Sequence, residues 1–562
     1  MGRRKSSRLS IGRYWNAFTF LREACEWRRI FAAARGRRRL ASVPLVNMAR
    51  RVAGGVLCFV ASACGFVNDP VVVESSRTPE DSVAFDLPPP VETTPAEPSG
   101  SGNDEPTEAP SPTSPTSPSR STSAGDQRFP ELGSADIDVV HYLVKLAYRH
   151  DQRTIDGTLV VTGTLLNQTD QIALDADGPY VTAVRSGGAS VDFVQAGREL
   201  LIALGEVKAV GSAFGVEVDF SVTVGEKSFF QGDVGLFPTP GGLWSVNEPD
   251  GASTWLPLND HPTDKATWAF EITAPKGLTA IANGELSATH ETLGGVTWSW
   301  QQTEPMAPYL ITLLVGDYEL VDDGTSASGV DLVHAVLRSR SKTLDAYRDV
   351  TRQQLAFFES LFGAYPFDRY GVAITDSVPG LAMETQGLSL FSSDELDGSL
   401  GRLQQAFLSH ELAHQWFGDA VSPATWNDIW LNEGFATYAE WLWMEEVGFG
   451  DVQHVAEANL SGLPATGWPL AKPEEMFGLI SYNGGATVLH ALRLTVGDDT
   501  FFAGLRNWVA TYLDDSATTA EFQVVMEESS GTDLDGFFDT WVYADSIPSQ
   551  LPKSGAAVGS AP

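Results

Sequence analysis

From about residue 135 the chain alternates apolar and polar positions. Tyr142, Val144, Leu146 and Tyr148 fall on one face. Val216, Val218, Phe220, Val222 and Val224 interleave with Glu217, Asp219, Ser221 and Thr223. A period of two marks a half-buried strand. Turn signals such as Asp156-Gly157 and Ser186-Gly187-Gly188 punctuate these runs. The texture continues through Trp268–Ile272 and Trp298–Gln301 to Tyr309–Tyr318, so residues 135–322 are expected to form one β domain. The period then lengthens. Leu344, Tyr347, Val350, Leu355, Phe358 and Phe362 keep roughly helical spacing, and Gly363 and Pro366 end the run. Further helices are expected over 402–417, 432–447, 482–495, 499–513 and 519–528, with a strand at Val372–Thr375 and a loop after it. This second region, 323–546, reads as a mainly helical domain, which makes the fold class α+β multidomain. The small-residue stretch 547–562 reads as a disordered tail.

Ahead of residue 135 the pattern is lost. Residues 65–134 are rich in Pro, Ser, Thr and Glu, as in Pro88-Pro89-Pro90 and Ser111-Pro112-Thr113-Ser114-Pro115. That composition buries too little apolar surface to offset the entropy of ordering, so a disordered linker is expected. Before it, Met48-Ala49-Arg50-Arg51 leads into a short apolar run from Val52 to Ala63, which suits a signal sequence and is too short to span a bilayer. Val60-Ala61-Ser62-Ala63-Cys64 resembles a bacterial lipoprotein cleavage box, with Ala61 in the usual leucine position. Cys64 would then carry a lipid and place the protein outside the cytoplasm, at the outer face of a bacterial membrane. Ordinary signal cleavage and secretion is the alternative. Met48 rather than Met1 as the true start explains the unusual basic leader most simply.

Charge and cysteine content narrow the chemistry. Residues 1–51 hold 14 Lys/Arg and two acids, so the rest of the chain has 23 bases against 70 acids, a net −47 within the overall −35. Such a surface repels phosphate backbones, and no nucleic-acid partner is expected. The three cysteines, Cys25, Cys58 and Cys64, all precede the folded region, which excludes disulfides, thiolate ligands and cysteine nucleophiles within it.

His410-Glu411-Leu412-Ala413-His414 has the H-E-x-x-H spacing. On a helix, residues four apart differ by about 40° of rotation, so both imidazoles face one point. Glu433, with 18 residues intervening, lies in Leu431-Asn432-Glu433-Gly434-Phe435-Ala436, far enough on for a helix returning past the first. His410, His414 and Glu433 make a three-ligand set for one Zn2+ with a position left for water, and Glu411 is placed to be the general base. The alternative is two core histidines with an accidental glutamate. Phe417 and Ala420 stand where a metzincin needs Gly and His, so that variant is excluded.

His410–Gly418 together with Trp430–Ala436 resembles the gluzincin aminopeptidases of family M1, the group containing aminopeptidase N and leukotriene A4 hydrolase. Trp255–Pro262 and Met306–Leu310 resemble that family's signatures near the end of its β-saddle domain, and the likeness extends over roughly residues 135–545. It implies an N-terminal β-saddle domain, then a thermolysin-like catalytic domain, without the large C-terminal helical domain of longer members. It also implies a zinc aminopeptidase acting on peptides with a free N-terminus. Tyr482, in Ser481-Tyr482-Asn483-Gly484-Gly485-Ala486, matches the family's oxyanion-stabilising tyrosine, with Gly484 in place of a lysine; a packed core tyrosine is the alternative. Gly380-Leu381-Ala382-Met383-Glu384-Thr385 resembles the G-x-M-E-N exopeptidase motif, with Leu381 for Gly and Thr385 for Asn. Ala382, Met383 and Glu384 are thereby substrate-binding candidates. Glu248 matches the second amine-binding position, against a solvated loop acid. Glu440, two turns beyond Glu433, could orient a ligating histidine or be a surface acid. An endopeptidase on the same scaffold, or a non-catalytic lipoprotein, are the competing functions.

Overall fold

Alternation becomes a sheet in the computed structural model, which describes residues 123–225, 234–377 and 380–553. Strand Ile137–Arg149 buries Tyr142, Val144 and Leu146 and leaves Lys145 and Arg149 exposed. It pairs antiparallel with Thr154–Leu165 and parallel with Ala266–Ala274, near the centre of an eight-stranded sheet. Tyr142 and Trp268 are register partners and stack with ring centroids 4.1 Å apart, a cross-strand pair that favours this register. A four-stranded sheet (Thr279–Ala282, Leu313–Gly316, Gly242–Val246, Gly235–Thr239) and a three-stranded one complete the β domain.

The second domain begins earlier than the sequence pattern implied. Strand Tyr318–Thr325, expected to end the β domain at 322, pairs antiparallel with Asp331–Leu337 in the next sheet, so the division falls near residue 317. That sheet continues through Val372–Thr375 and Ser389–Ser392 to a two-residue edge strand, Ala382–Met383. The helices packed with it are α1 (Arg348–Phe362), α2 (Arg402–Ala413), α3 (Trp430–Glu446), α4 (Val452–Gly462), α5 (Gly485–Val496), α6 (Asp498–Thr511), α7 (Thr519–Ser530) and α8 (Asp535–Trp541). Leu355, Phe358, Ile374, Phe391, Leu412 and Trp416 share one buried cluster. Gly363, at φ +98°, ends α1 as expected. Two helices were not anticipated, α4 and α8. The α4 start carries a legible signal, since Asp451 accepts from His454 N at 2.8 Å as an N-cap.

Both flanking segments are shorter than composition suggested. Residues 123–134, assigned to the linker, pack into the body. Leu132 is buried, Ser134 N donates to Asn259 Oδ1 at 2.6 Å, and the Asp126 carboxylate accepts from Arg128 N, Phe129 N and Trp426 N at 2.6, 3.0 and 2.7 Å. At the other end, Ile547 and Leu551, assigned to the tail, lie against the catalytic core. The leader, the signal-like run and Cys25, Cys58 and Cys64 lie outside the described residues, and among the described ones no helix is long and apolar enough to cross a membrane.

Burial alone would raise the Asp126 carboxyl, but His261 and three backbone N–H groups hold it down at about 2. A folded pKa below the unfolded value near 3.9 means that Asp126 contributes stability fully above about pH 4 and loses it as pH falls toward 2. Asp126→Ala should therefore destabilise the protein by about 1–3 kcal/mol at neutral pH by orphaning the Trp426 N–H. Urea unfolding at several pH values checks this, with the gap to wild type narrowing below pH 4.

Candidate active site

Helix α2 carries His410 in its last turn and is capped by His414, and Glu433 sits in the first turn of α3. His410 Nε2 lies 3.3 Å and His414 Nε2 3.6 Å from the same oxygen, Glu433 Oε2. The imidazole centroids are 4.8 Å apart with planes at 78°, so the rings converge without stacking. Their other nitrogens face elsewhere. His414 Nδ1–H donates to Phe417 O at 3.1 Å, which fixes its tautomer and leaves the Nε2 lone pair free. His410 Nδ1 lies 3.9 Å from Glu440 Oε2, within ion-pair range but beyond a hydrogen bond.

Electrostatics agree with a cation site. Burial opposes ionisation of Glu433, yet the two imidazoles hold its carboxyl at about 2. Burial holds His410 below its ordinary value, toward the neutral form that ligates a metal. At His414 burial is overridden by Glu384, Glu433 and Glu411, which raise its pKa well above normal. Two imidazole nitrogens and one carboxylate oxygen, all within 4.8 Å, suit zinc by number and donor type. The residues present fit the metal.

Two further carboxylates approach from other elements. Glu384 follows the edge strand Ala382–Met383, and its Oε1, buried without a hydrogen-bond partner, lies 4.0 Å from His414 Nδ1. Glu248 comes from the β domain, and its Oε1 is likewise buried and unpartnered. Burial first, and then neighbouring acids, push both carboxyls up; Glu384 is foremost among those neighbours for Glu248, and Glu433 acts on both. Glu411 is buried beside them and shifts the same way. The backbone holds Glu384 in place, because Gln415 Nε2 donates to Glu384 O at 2.8 Å while its Oε1 accepts from Gly387 N, also at 2.8 Å. Ala382 is half-buried. Met383 is buried in the cluster shared with the β domain.

Tyr482 lies not in the regular helix expected over 482–495 but in a π-helical turn, Ile480–Gly484, that precedes α5. Its ring runs nearly parallel to that of His410, 6.0 Å between centroids and 11° between planes. Close backbone contact makes this possible. A Cβ on Gly434 would stand 2.8 Å from Gly485 Cα, so only glycine at both positions lets α3 and α5 approach so near. The residues that reasoning from the sequence missed are Gln415, the Phe417 carbonyl and Asn432. All lie within the quoted motifs; for Gln415 and Asn432 a polar residue next to His414 or Glu433 was the available signal, and for the Phe417 carbonyl there was none.

Comparison with known proteins places this geometry in a family. Residues 347–541 match the Peptidase family M1 domain and residues 139–310 match the Peptidase M1 N-terminal domain. The M1 zinc metallopeptidase from Deinococcus radiodurans is 32% identical, with a TM-score of 0.67 over 77% of this chain and 99% of that one. The chain belongs to peptidase family M1. A mutant of that Deinococcus enzyme bound to a Tyr-Ser-Ala substrate matches at TM-score 0.69, 32% identity, 77% of this chain and 100% of that one. Among curated relatives, Probable aminopeptidase 2 of Sulfurisphaera tokodaii is 28% identical over 68% of this chain and 51% of its own length. Aminopeptidase N of Streptomyces lividans is 31% identical over 52% and 37%. The chain thus spans about half or less of the length of these curated relatives. The M1 match supports one catalytic zinc, and the three donors have the number and type that zinc takes. Metal analysis should find one zinc per chain, and Glu433→Gln should retain far less after dialysis.

Proposed function

We propose that the protein is a zinc-dependent aminopeptidase that removes residues from the free N-terminus of peptides. The observation that carries this reading is the pair of buried, unpartnered oxygens, Glu248 Oε1 and Glu384 Oε1, beside the three-donor cluster. Buried carboxylates need a cation, and an α-ammonium group supplies one with three N–H donors. A peptide whose amine is anchored there presents its first peptide bond to the metal. When bound, zinc acidifies water and polarises a scissile carbonyl. Glu411, adjacent to His410 and not a ligand, takes the proton from water and passes it to the leaving amine. Tyr482, beside His410, donates its hydroxyl hydrogen to the developing oxyanion. The edge strand Ala382–Met383 offers backbone groups that an extended peptide can pair with, and Glu440 steadies His410.

An endopeptidase would need to accept a neutral upstream amide where Glu248 and Glu384 concentrate negative charge, so the exopeptidase reading is favoured. Wild-type protein should hydrolyse a free peptide and leave its N-acetylated form nearly untouched; equal rates would falsify the proposal. In the same assay Glu384→Ala should raise KM. Glu411→Gln should abolish turnover, and Tyr482→Phe should lower kcat about 10²–10³-fold, as loss of an oxyanion donor does.

We further propose that the protein acts outside the cytoplasm, held by a lipid on Cys64. The lipoprotein-type box around that residue supports this. Metabolic labelling with a fatty acid should mark the wild type and not Cys64→Ser; an unlabelled wild type would favour plain secretion.

A further inference from the structure

His414 is held from behind. Its Nδ1–H donates to Phe417 O at 3.1 Å, so the direction of the ring follows the turn that closes α2. Gly418 continues this turn at φ +131°, a conformation suited to glycine, and a Cβ there would stand 3.4 Å from His414 Nδ1. Each of the next three carbonyls is fastened from outside the helix. Gly418 O accepts from Tyr309 Oη at 2.7 Å and Ser422 Oγ at 2.6 Å. Lys265 Nζ donates to Asp419 O at 2.7 Å and to Ala420 O at 2.9 Å, and Asp514 N also donates to Ala420 O at 2.9 Å.

Lys265 and Tyr309 both belong to the β domain. The side chain of Lys265 suits its place, since an ammonium carries three donors and can bridge two backbone carbonyls at once. Burial pulls the Lys265 ammonium down to about 8, and the carboxylates of Asp514, Asp419 and Asp515 oppose that shift by favouring its charged form. Tyr309 Oη also accepts from Asn432 Nδ2 at 3.3 Å, next to Glu433, so the β domain reaches both helices that carry the donor set.

We propose that Lys265 is a positioning residue: by pinning the Asp419 and Ala420 carbonyls it fixes the Phe417 carbonyl, and through it the aim of His414 Nε2, so that the β domain sets metal retention and turnover. This rests on His414 being a zinc ligand. Lys265→Met keeps the length of the stem and removes every donor. It should release zinc to a chelator about tenfold faster, the scale on which groups behind metal ligands act. It should also shift the visible absorption bands of the cobalt-substituted protein and lower kcat about tenfold with KM close to wild type. Lys265→Arg, which keeps charge and donors, should recover part of each effect. A folded Lys265→Met protein with wild-type zinc release and cobalt spectrum would overturn the proposal, whatever its melting temperature. Should Lys265→Met not fold, Tyr309→Phe carries the test through Gly418 O. Faster zinc release and a shifted spectrum are expected, and unchanged values overturn it. Failure of the wild type itself to hold zinc or cleave peptides would instead count against the proposed function.

Discussion

One oxygen of Glu433 lies 3.3 Å from His410 Nε2 and 3.6 Å from His414 Nε2, and this convergence governs the rest of the site. It demands that α2 and α3 pack face to face. It also gathers Glu248, Glu384, Glu411 and Asp419 into the same buried region, where burial pushes each carboxyl up. Two unit charges 4 Å apart at an effective dielectric of 20 interact by about 4 kcal/mol, comparable to much of a domain's net stability. Carboxylates packed this densely stay ionised together only with cations among them. A divalent cation at His410, His414 and Glu433 would offset part of that charge.

Neither domain builds this arrangement alone. The second domain supplies His410, His414, Glu433, Glu411, Glu384 and Tyr482. The β domain supplies Glu248 and the two side chains that hold the turn behind His414. Met383, Leu390, Trp426 and Ile429 pack into the same cluster as Leu256, Leu258 and Leu310, so the boundary between domains is continuous core. A shift between the two bodies would therefore move Glu248 relative to Glu384 and disturb the turn behind His414 together. The segment around Asp126 works against such a shift, binding Trp426 N in one domain while its neighbour Ser134 binds Asn259 in the other.

The parts legible in the sequence are those that local spacing encodes. H-E-x-x-H fixes two side chains on one helical face, and Glu433 in the following helix needs only that helix to return. Alternation revealed the strands, because a half-buried strand shows its faces in sequence. Boundaries were less legible where pairing decides them. Nothing in Tyr318–Thr325 announces which of two sheets it will join, and its partner Asp331–Leu337 lies across a turn that the pattern left unassigned. Residues 123–134 look like linker by composition, yet Asp126 and Ser134 are tied down by contacts 300 and 125 positions away. Helix α4 was missed, although its Asn459 Oδ1 accepts from Asn483 Nδ2 at 3.0 Å and so supports the turn that carries Tyr482.

The same contacts explain where the chain departs from the motifs it resembles. Gly484 stands where a lysine is usual. A Cβ there would meet the Trp468 ring at 3.2 Å, so the space that a lysine stem would cross is filled by an indole, which donates to Pro464 O at 3.0 Å. Thr385 replaces an asparagine, and its hydroxyl donates to Leu388 O at 2.5 Å, closing the loop that follows Glu384. Leu381 replaces a glycine. Its carbonyl accepts from Ser392 N at 2.9 Å, and its side chain packs against the cluster shared with the β domain. In each case the substitution goes with a packing or backbone contact around the neighbouring element. None of the three substitutions touches the carboxylate of Glu384 or the ring of Tyr482. The departures therefore bear on how these elements are supported, while the charges aimed into the site stay where the motif puts them.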